Sequence, residues 1–88
     1  MEFEYDPVKS ESNAQKHGID FDEAQKLWVD EGLVVLASTY AEESRYLAIG
    51  QIDSVHWTAI FTERGARTRI ISVRRSRSEE KALYEQNK

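Results

Sequence analysis

The sequence predicts an α+β domain in which two N-terminal helices and a C-terminal helix pack on an antiparallel meander, in the order β-α-α-β-β-β-β-α. Three observations carry that reading. Two helix-start signals, Asp6-Pro7 and Asp20 with Glu23, fall in the first third of the chain. Four runs rich in aromatic and β-branched residues follow between positions 33 and 74, separated by short turn segments. A further helix signal opens near Ser76. At 88 residues the chain is expected to form one domain over 1–88 with a modest core.

The elements follow in order. Phe3 and Tyr5 alternate with Glu2, Glu4 and Asp6, the period of a short half-buried strand. Asp6 is a suitable N-cap and Pro7 a suitable first helical residue, and Gly18 suits a left-handed C-cap, so a first helix is expected to end at about His17. Asp20 with Glu23 makes a capping box for a second helix, whose Phe21, Ala24, Leu27 and Trp28 share one face, and which is expected to stop before Gly32. The strand runs are "LVVLAS" (33–38), "RYLAIGQI" (45–52), "VHWTAIFTE" (55–63) and "TRIISVR" (68–74). Asp53-Ser54 and the segment around Gly65 are short enough for hairpins. Ser76 with Glu79 reads as the capping box of the last helix, with Leu83 and Tyr84 turned inward.

Composition narrows the function. The chain has no cysteine, which removes disulfides and thiolate metal sites and suits a reducing cytosol. No stretch approaches the roughly 20 apolar residues of a membrane span, and the acidic N-terminus is unlike a secretory signal, so a cytoplasmic protein without a membrane partner is expected. Two histidines without metal-site spacing argue against a metal centre. No P-loop, dinucleotide fingerprint or nucleophile elbow occurs, so no cofactor is expected.

Charge is unevenly placed. Residues 1–63 carry thirteen Asp/Glu against four Lys/Arg, whereas residues 64–88 carry three against eight. With a net charge of -4, any anion site must be local. On strict alternation Arg69, Ile71, Val73 and Arg75 point one way and Ile70, Ser72 and Arg74 the other. Arg74, Arg75 and Arg77 then surround the N-terminus of the last helix, where guanidinium forks and a positive dipole end suit a phosphate. Glu79 and Glu80 in the same turn are positioned to neutralise that patch, and pairing with upstream carboxylates is the plainer alternative. Thr62, Glu63 and Arg64 should lie near Arg67 and Arg69, either as part of a site or as a local salt bridge. Lys9, Asn13 and Lys16 fall on one helical stripe as three donors. His17 suits a general acid or base and equally a partner for a helix C-terminus.

The segments "FEYDPVKSESNAQKHGIDFDEAQKLW", "RYLAIGQI" and "TERGARTRIISVRRSRSEEKALYE" together resemble the BrnT family of type II toxins. The resemblance spans roughly Phe3 to Glu85. It implies a RelE-like fold and a metal-independent endoribonuclease that inhibits translation by cutting RNA. It also implies a BrnA-like ribbon-helix-helix antitoxin as partner, with operator DNA reached only through that antitoxin. By position, Lys16 and His17 match the family's KHG segment, Arg64 its arginine after the threonine motif, Arg74 and Arg75 its basic pair, and Tyr84 its late aromatic. On that reading Arg64, Arg74 and Arg75 stabilise phosphorane charge and His17 or Glu63 is the base. Lys9, Asn13, Lys16, Arg69, Arg77 and Tyr84 then hold RNA. The segment 37–45, with Glu42 and Glu43, departs most from the family pattern. The alternative is a non-catalytic module, or a co-repressor subunit, that binds a DNA-binding antitoxin.

Overall fold

The computed structural model describes residues 1–38 and 44–87, so the segment that holds Glu42 and Glu43 lies outside the described residues. Strand β1 (Glu2–Glu4) leads into α1 (Pro7–His17), then α2 (Phe21–Ala24) and a 3₁₀ helix (Gln25–Val29). Strands β2 (Val34–Ser38), β3 (Arg45–Ile52), β4 (Val55–Arg64) and β5 (Arg67–Arg75) follow, and α3 (Ser78–Gln86) closes the order. The strands described form one sheet in the order β1-β5-β4-β3-β2. Strands β2 to β5 are an antiparallel meander. β1 adds to the β5 edge in parallel, with Glu2 opposite Arg67 and Glu4 opposite Arg69. The α+β order expected from sequence is the observed one.

Local chemistry explains the helix ends. The Asp6 carboxylate accepts from the Val8 N–H at 2.9 Å, and Asp20 accepts from the Glu23 N–H at 2.7 Å. Gly18, at φ 81, sends its N–H back to the Ala14 carbonyl, a geometry that costs a side-chain-bearing residue about 1–2 kcal/mol. Two helix expectations need correction. The second helix tightens to 3₁₀ after Ala24 instead of running on as α, which brings Leu27 into the core while Val29 remains 81% exposed. The last helix begins one residue later than expected, with Arg77 as N-cap and Glu80, not Glu79, folding back to the cap.

One face of the sheet carries the core. Phe21, Ala24 and Leu27 pack with Ala48, Ala59, Phe61, Ile70 and Val73, and Trp28 bridges Phe3 and Phe61 edge-to-face at 5.0 and 5.3 Å. A bulge lies in β5: Ile60 faces Ser72 while Phe61 faces Ile70, leaving Ile71 as the extra residue. The alternation read from sequence therefore fails across Ile71. Ile70 and Val73 both enter the core, and Arg69 (opposite Thr62) shares the other face with Arg74 (opposite Thr58).

Beyond the reach of β1, a side chain completes the β5 edge. The Asn13 amide donates to the Val73 and Ile19 carbonyls, each at 2.9 Å, and accepts from the Val73 N–H at 3.1 Å. It thus substitutes for a neighbouring strand at Val73. Asn13→Ala would orphan three buried backbone groups and is expected to cost about 3 kcal/mol. A calorimetric or circular-dichroism melt should show a midpoint lower by roughly 10–20 °C. At the β3–β4 turn Asp53 and Ser54 have φ 51 and 70, the positive pair of a tight hairpin that favours glycine at its second position. Ser54→Gly should accordingly gain about 0.5–1 kcal/mol, and a melt that moves down instead would contradict it.

Candidate functional site

Among the described residues, the second face of the sheet is only partly covered. Helix α3 lies over one end, where the Tyr84 ring meets His56 edge-to-face at 5.3 Å and Glu80 reaches Thr58. The other end opens as a cleft of about 510 Å³ lined by Ser38, Arg45, Leu47, Ile60, Arg74, Arg77 and Glu80. Leu47 and Ile60 are directly opposed on β3 and β4 and form an apolar floor. Ser38 and Arg45 are likewise paired across β2 and β3 at one side, and Arg74, Arg77 and Glu80 come from the β5–α3 junction at the other. The lining holds three guanidiniums against one carboxylate, a local net charge of +2 on a chain whose total is -4.

Glu80 organises the basic wall. It is 6% exposed and accepts two N–H bonds from the Arg74 fork at 2.8 and 2.9 Å. The Arg77 N–H at 2.7 Å and the Thr58 hydroxyl at 3.0 Å complete the set, and Thr58 also bonds Ser76 at 2.8 Å. Burial pushes the Glu80 carboxyl up, but the hydrogen bonds from Arg74, Arg77 and Thr58 outweigh it and hold the pKa down at about 2. The anion at the N-cap of α3 is therefore the protein's own carboxylate, which accepts the Arg77 N–H. Arg74 also donates to the Arg75 carbonyl at 3.2 Å, which leaves its Nε–H and one terminal N–H of the five for other partners. The Arg77 side chain is exposed and makes no hydrogen bond or ion pair among the described residues.

The structure separates the other sequence-derived candidates. Arg75 leaves the cleft and lies over the Trp57 ring at 5.1 Å. Glu63 and Arg64 are exposed at the β4–β5 hairpin tip, where the Glu63 carboxylate accepts from the Thr68 hydroxyl at 3.1 Å. Arg69 is tied to Glu4 at 2.9 Å, and Arg67 approaches Glu2 and Glu4 at 3.5 and 3.9 Å. Lys9, Lys16 and His17 are exposed on α1. Asn13 is not a third surface donor beside them, because it is buried and its amide is spent on Val73 and Ile19. Tyr84 is buried with its hydroxyl donating to Asp30 Oδ2 at 2.7 Å. Burial and that contact push its pKa up to about 12, so it remains a neutral phenol. Among the described residues, the sequence candidates that the cleft brings together are Arg74 and Arg77.

Arg45 belongs with them although the sequence reading passed over it. Its Nε is buried and has no hydrogen-bond partner among the described residues. An orphaned buried donor costs about 1–3 kcal/mol, and more when charged, and is uncommon enough to mark a polar ligand site. The signal was available as the alternation Arg45-Leu47-Ile49, which puts Arg45 on the face of Leu47. Which face stays uncovered was not.

Glu80 sets a pH dependence. Its folded pKa of about 2 lies below the ordinary 4.5, so the unfolded chain binds the extra proton between those values and stability rises with pH there. The contribution is complete above about pH 4.5, is lost as pH falls toward 2, and amounts to at most about 3 kcal/mol. Urea titrations from pH 2 to 7 should show that acid limb in the wild type. Glu80→Gln should be less stable at pH 7 and flatter below pH 4.5, and an unchanged slope would refute the assignment.

The model of a family described as the ribonuclease toxin, BrnT, of type II toxin-antitoxin systems matches residues 5–80 of the 88. No curated protein matches the chain.

Proposed function

Because the chain belongs to the BrnT family of ribonuclease toxins of type II toxin-antitoxin systems, we propose that its cleft cuts RNA without a metal ion and so inhibits translation. The carrying observation is the wall in which buried Glu80 fixes the Arg74 fork beside the exposed Arg77 guanidinium. In RNA cleavage of this type the ribose 2′-oxygen forms a bond to the adjacent phosphorus and the 5′-oxygen leaves. The products are a 2′,3′-cyclic phosphate and a 5′-hydroxyl. Charge accumulates on the phosphorane oxygens in between, and fixed donors aimed at them are the largest single source of acceleration. Arg74 is fixed in advance by Glu80, and Arg77 supplies an unspent fork. His17, Glu63, Arg64 and Arg75 do not line the cleft, so the reading rests on electrostatic stabilisation and not on a named base.

The family's antitoxin partner is proposed to be a BrnA-like ribbon-helix-helix protein that inhibits by covering Arg74 and Arg77 with an acidic or amphipathic segment. Operator DNA would be contacted through the antitoxin alone.

The test is cleavage of an end-labelled single-stranded RNA in EDTA. Arg77→Ala touches none of the Glu80 side-chain bonds and should lower the rate by about 10²-fold. Arg74→Lys keeps the charge but loses the fork and should fall comparably. Cleavage abolished by EDTA would refute metal independence. Equal cleavage by wild type and variants would move the active site elsewhere. A folded wild type that cuts no RNA, with or without ribosomes, yet binds its antitoxin, would leave the non-catalytic module as the better reading.

A further inference from the structure

Arg45 and the Arg74–Arg77 wall occupy opposite ends of one cleft. Arg45 sits on β3 one residue beyond the Tyr46–Phe61 pair, whereas Arg74 is opposite Thr58 on the far side of β4. Strand geometry puts their backbones roughly 13 Å apart along the sheet and roughly 10 Å apart across it. Neither side chain is placed to close that distance. The Arg74 fork is held by Glu80 and by the Arg75 carbonyl, and the Arg45 Nε is buried. Leu47 and Ile60 lie between, an apolar floor that suits the face of a base or ribose and offers nothing to a phosphate.

Resting on the RNA reading above, we infer that Arg45 forms a second phosphate subsite, one that holds a backbone phosphate flanking the one cut at Arg74 and Arg77. The Arg45 side chain lines the cleft, and the terminal N–H groups of a guanidinium can fork onto two oxygens of one phosphate. The cleft then takes an RNA segment anchored by phosphates at both ends with an apolar contact in the middle. Arg45 is a binding residue of the substrate chain and touches no reacting atom.

The prediction separates substrates by length. The probes are 2′-O-methyl oligonucleotides, which bind but cannot be cut: a dinucleotide with its single phosphate and a tetranucleotide with flanking ones. Arg45→Gln should weaken tetranucleotide binding about tenfold and leave the dinucleotide unchanged. The slope of log affinity against log salt should fall by about 0.7, the loss of one phosphate contact on a single strand. Arg45→Lys should retain the wild-type slope. If Arg45→Gln does not fold, Arg45→Met keeps an apolar stem on the sheet and takes its place. Equal loss on both lengths would overturn the inference, because Arg45 would then act at the cut phosphate or through the fold. Unaltered tetranucleotide affinity would overturn it while the RNA reading stands. A wild type that binds neither probe, with or without ribosomes, would overturn the RNA reading itself, and this inference with it.

Discussion

The buried carboxylate of Glu80 is the constraint on which this arrangement depends. A carboxylate at 6% exposure is tolerated only when its lone pairs are satisfied, since desolvation alone costs several kcal/mol. Here the partners come from three places in the chain: Thr58 on β4, Arg74 at the end of β5, and the Arg77 N–H at the start of α3. Satisfying Glu80 therefore fixes the direction in which the chain leaves the sheet and lays α3 across one end of it. The part of that face left uncovered by the described residues is the cleft. The same bonds that make the carboxylate affordable hold the Arg74 fork still, so the fold and the basic wall share one cause.

The β5 bulge is the second determinant, because it decides which arginines share a face. Without the extra residue at Ile71, Arg69 and Arg74 would project oppositely, and Ile70 and Val73 could not both enter the core. A bulge interrupts edge pairing as well as alternation, and β1 ends before reaching it. The Asn13 amide supplies what the missing strand would have supplied at Val73. It also binds the Ile19 carbonyl, so the α1–α2 connection is secured to the same point. A polar residue on a helix face thus serves as backbone.

How much of this could be read beforehand divides along physical lines. The caps at Asp6, Gly18 and Asp20 were legible because capping is a local negotiation between a side chain and the nearest N–H or C=O. The β3 boundaries were legible because "RYLAIGQI" is flanked by turn chemistry. The 3₁₀ tightening after Ala24 was not, since it reflects how Leu27 and Trp28 fit against the sheet. Nor was the bulge, because "RIISVR" reads as an unbroken strand until a partner register is known. Those two failures carry into the site. Asn13 looked like a surface donor because its stripe includes Lys9 and Lys16, whereas one of its true partners, Val73, lies sixty residues away in sequence and the other, Ile19, lies past the helix end. Arg45 looked like an ordinary strand start because nothing nearby said that its face would stay open.

The charge asymmetry of the chain acquires a more specific meaning from the partners it finds. The C-terminal arginines do not act as one patch. Arg67 and Arg69 are drawn to Glu2 and Glu4 and staple β1 to the sheet, while Arg75 is placed on Trp57. Arg74 and Arg77 meet at the cleft, joined there by Arg45 from the acidic part of the sequence. A chain of net charge -4 repels a polyanion at long range and gains little from electrostatic steering. Attraction begins only within about a Debye length, about 8 Å at physiological salt, where the local +2 of the cleft outweighs the distant carboxylates. On the proposed RNA reading such a surface would discriminate by fit, since a strand able to enter the cleft would meet the Arg74 fork already held by Glu80. On that reading, acidic surroundings and a basic pocket would together trade non-specific affinity for selection at the site.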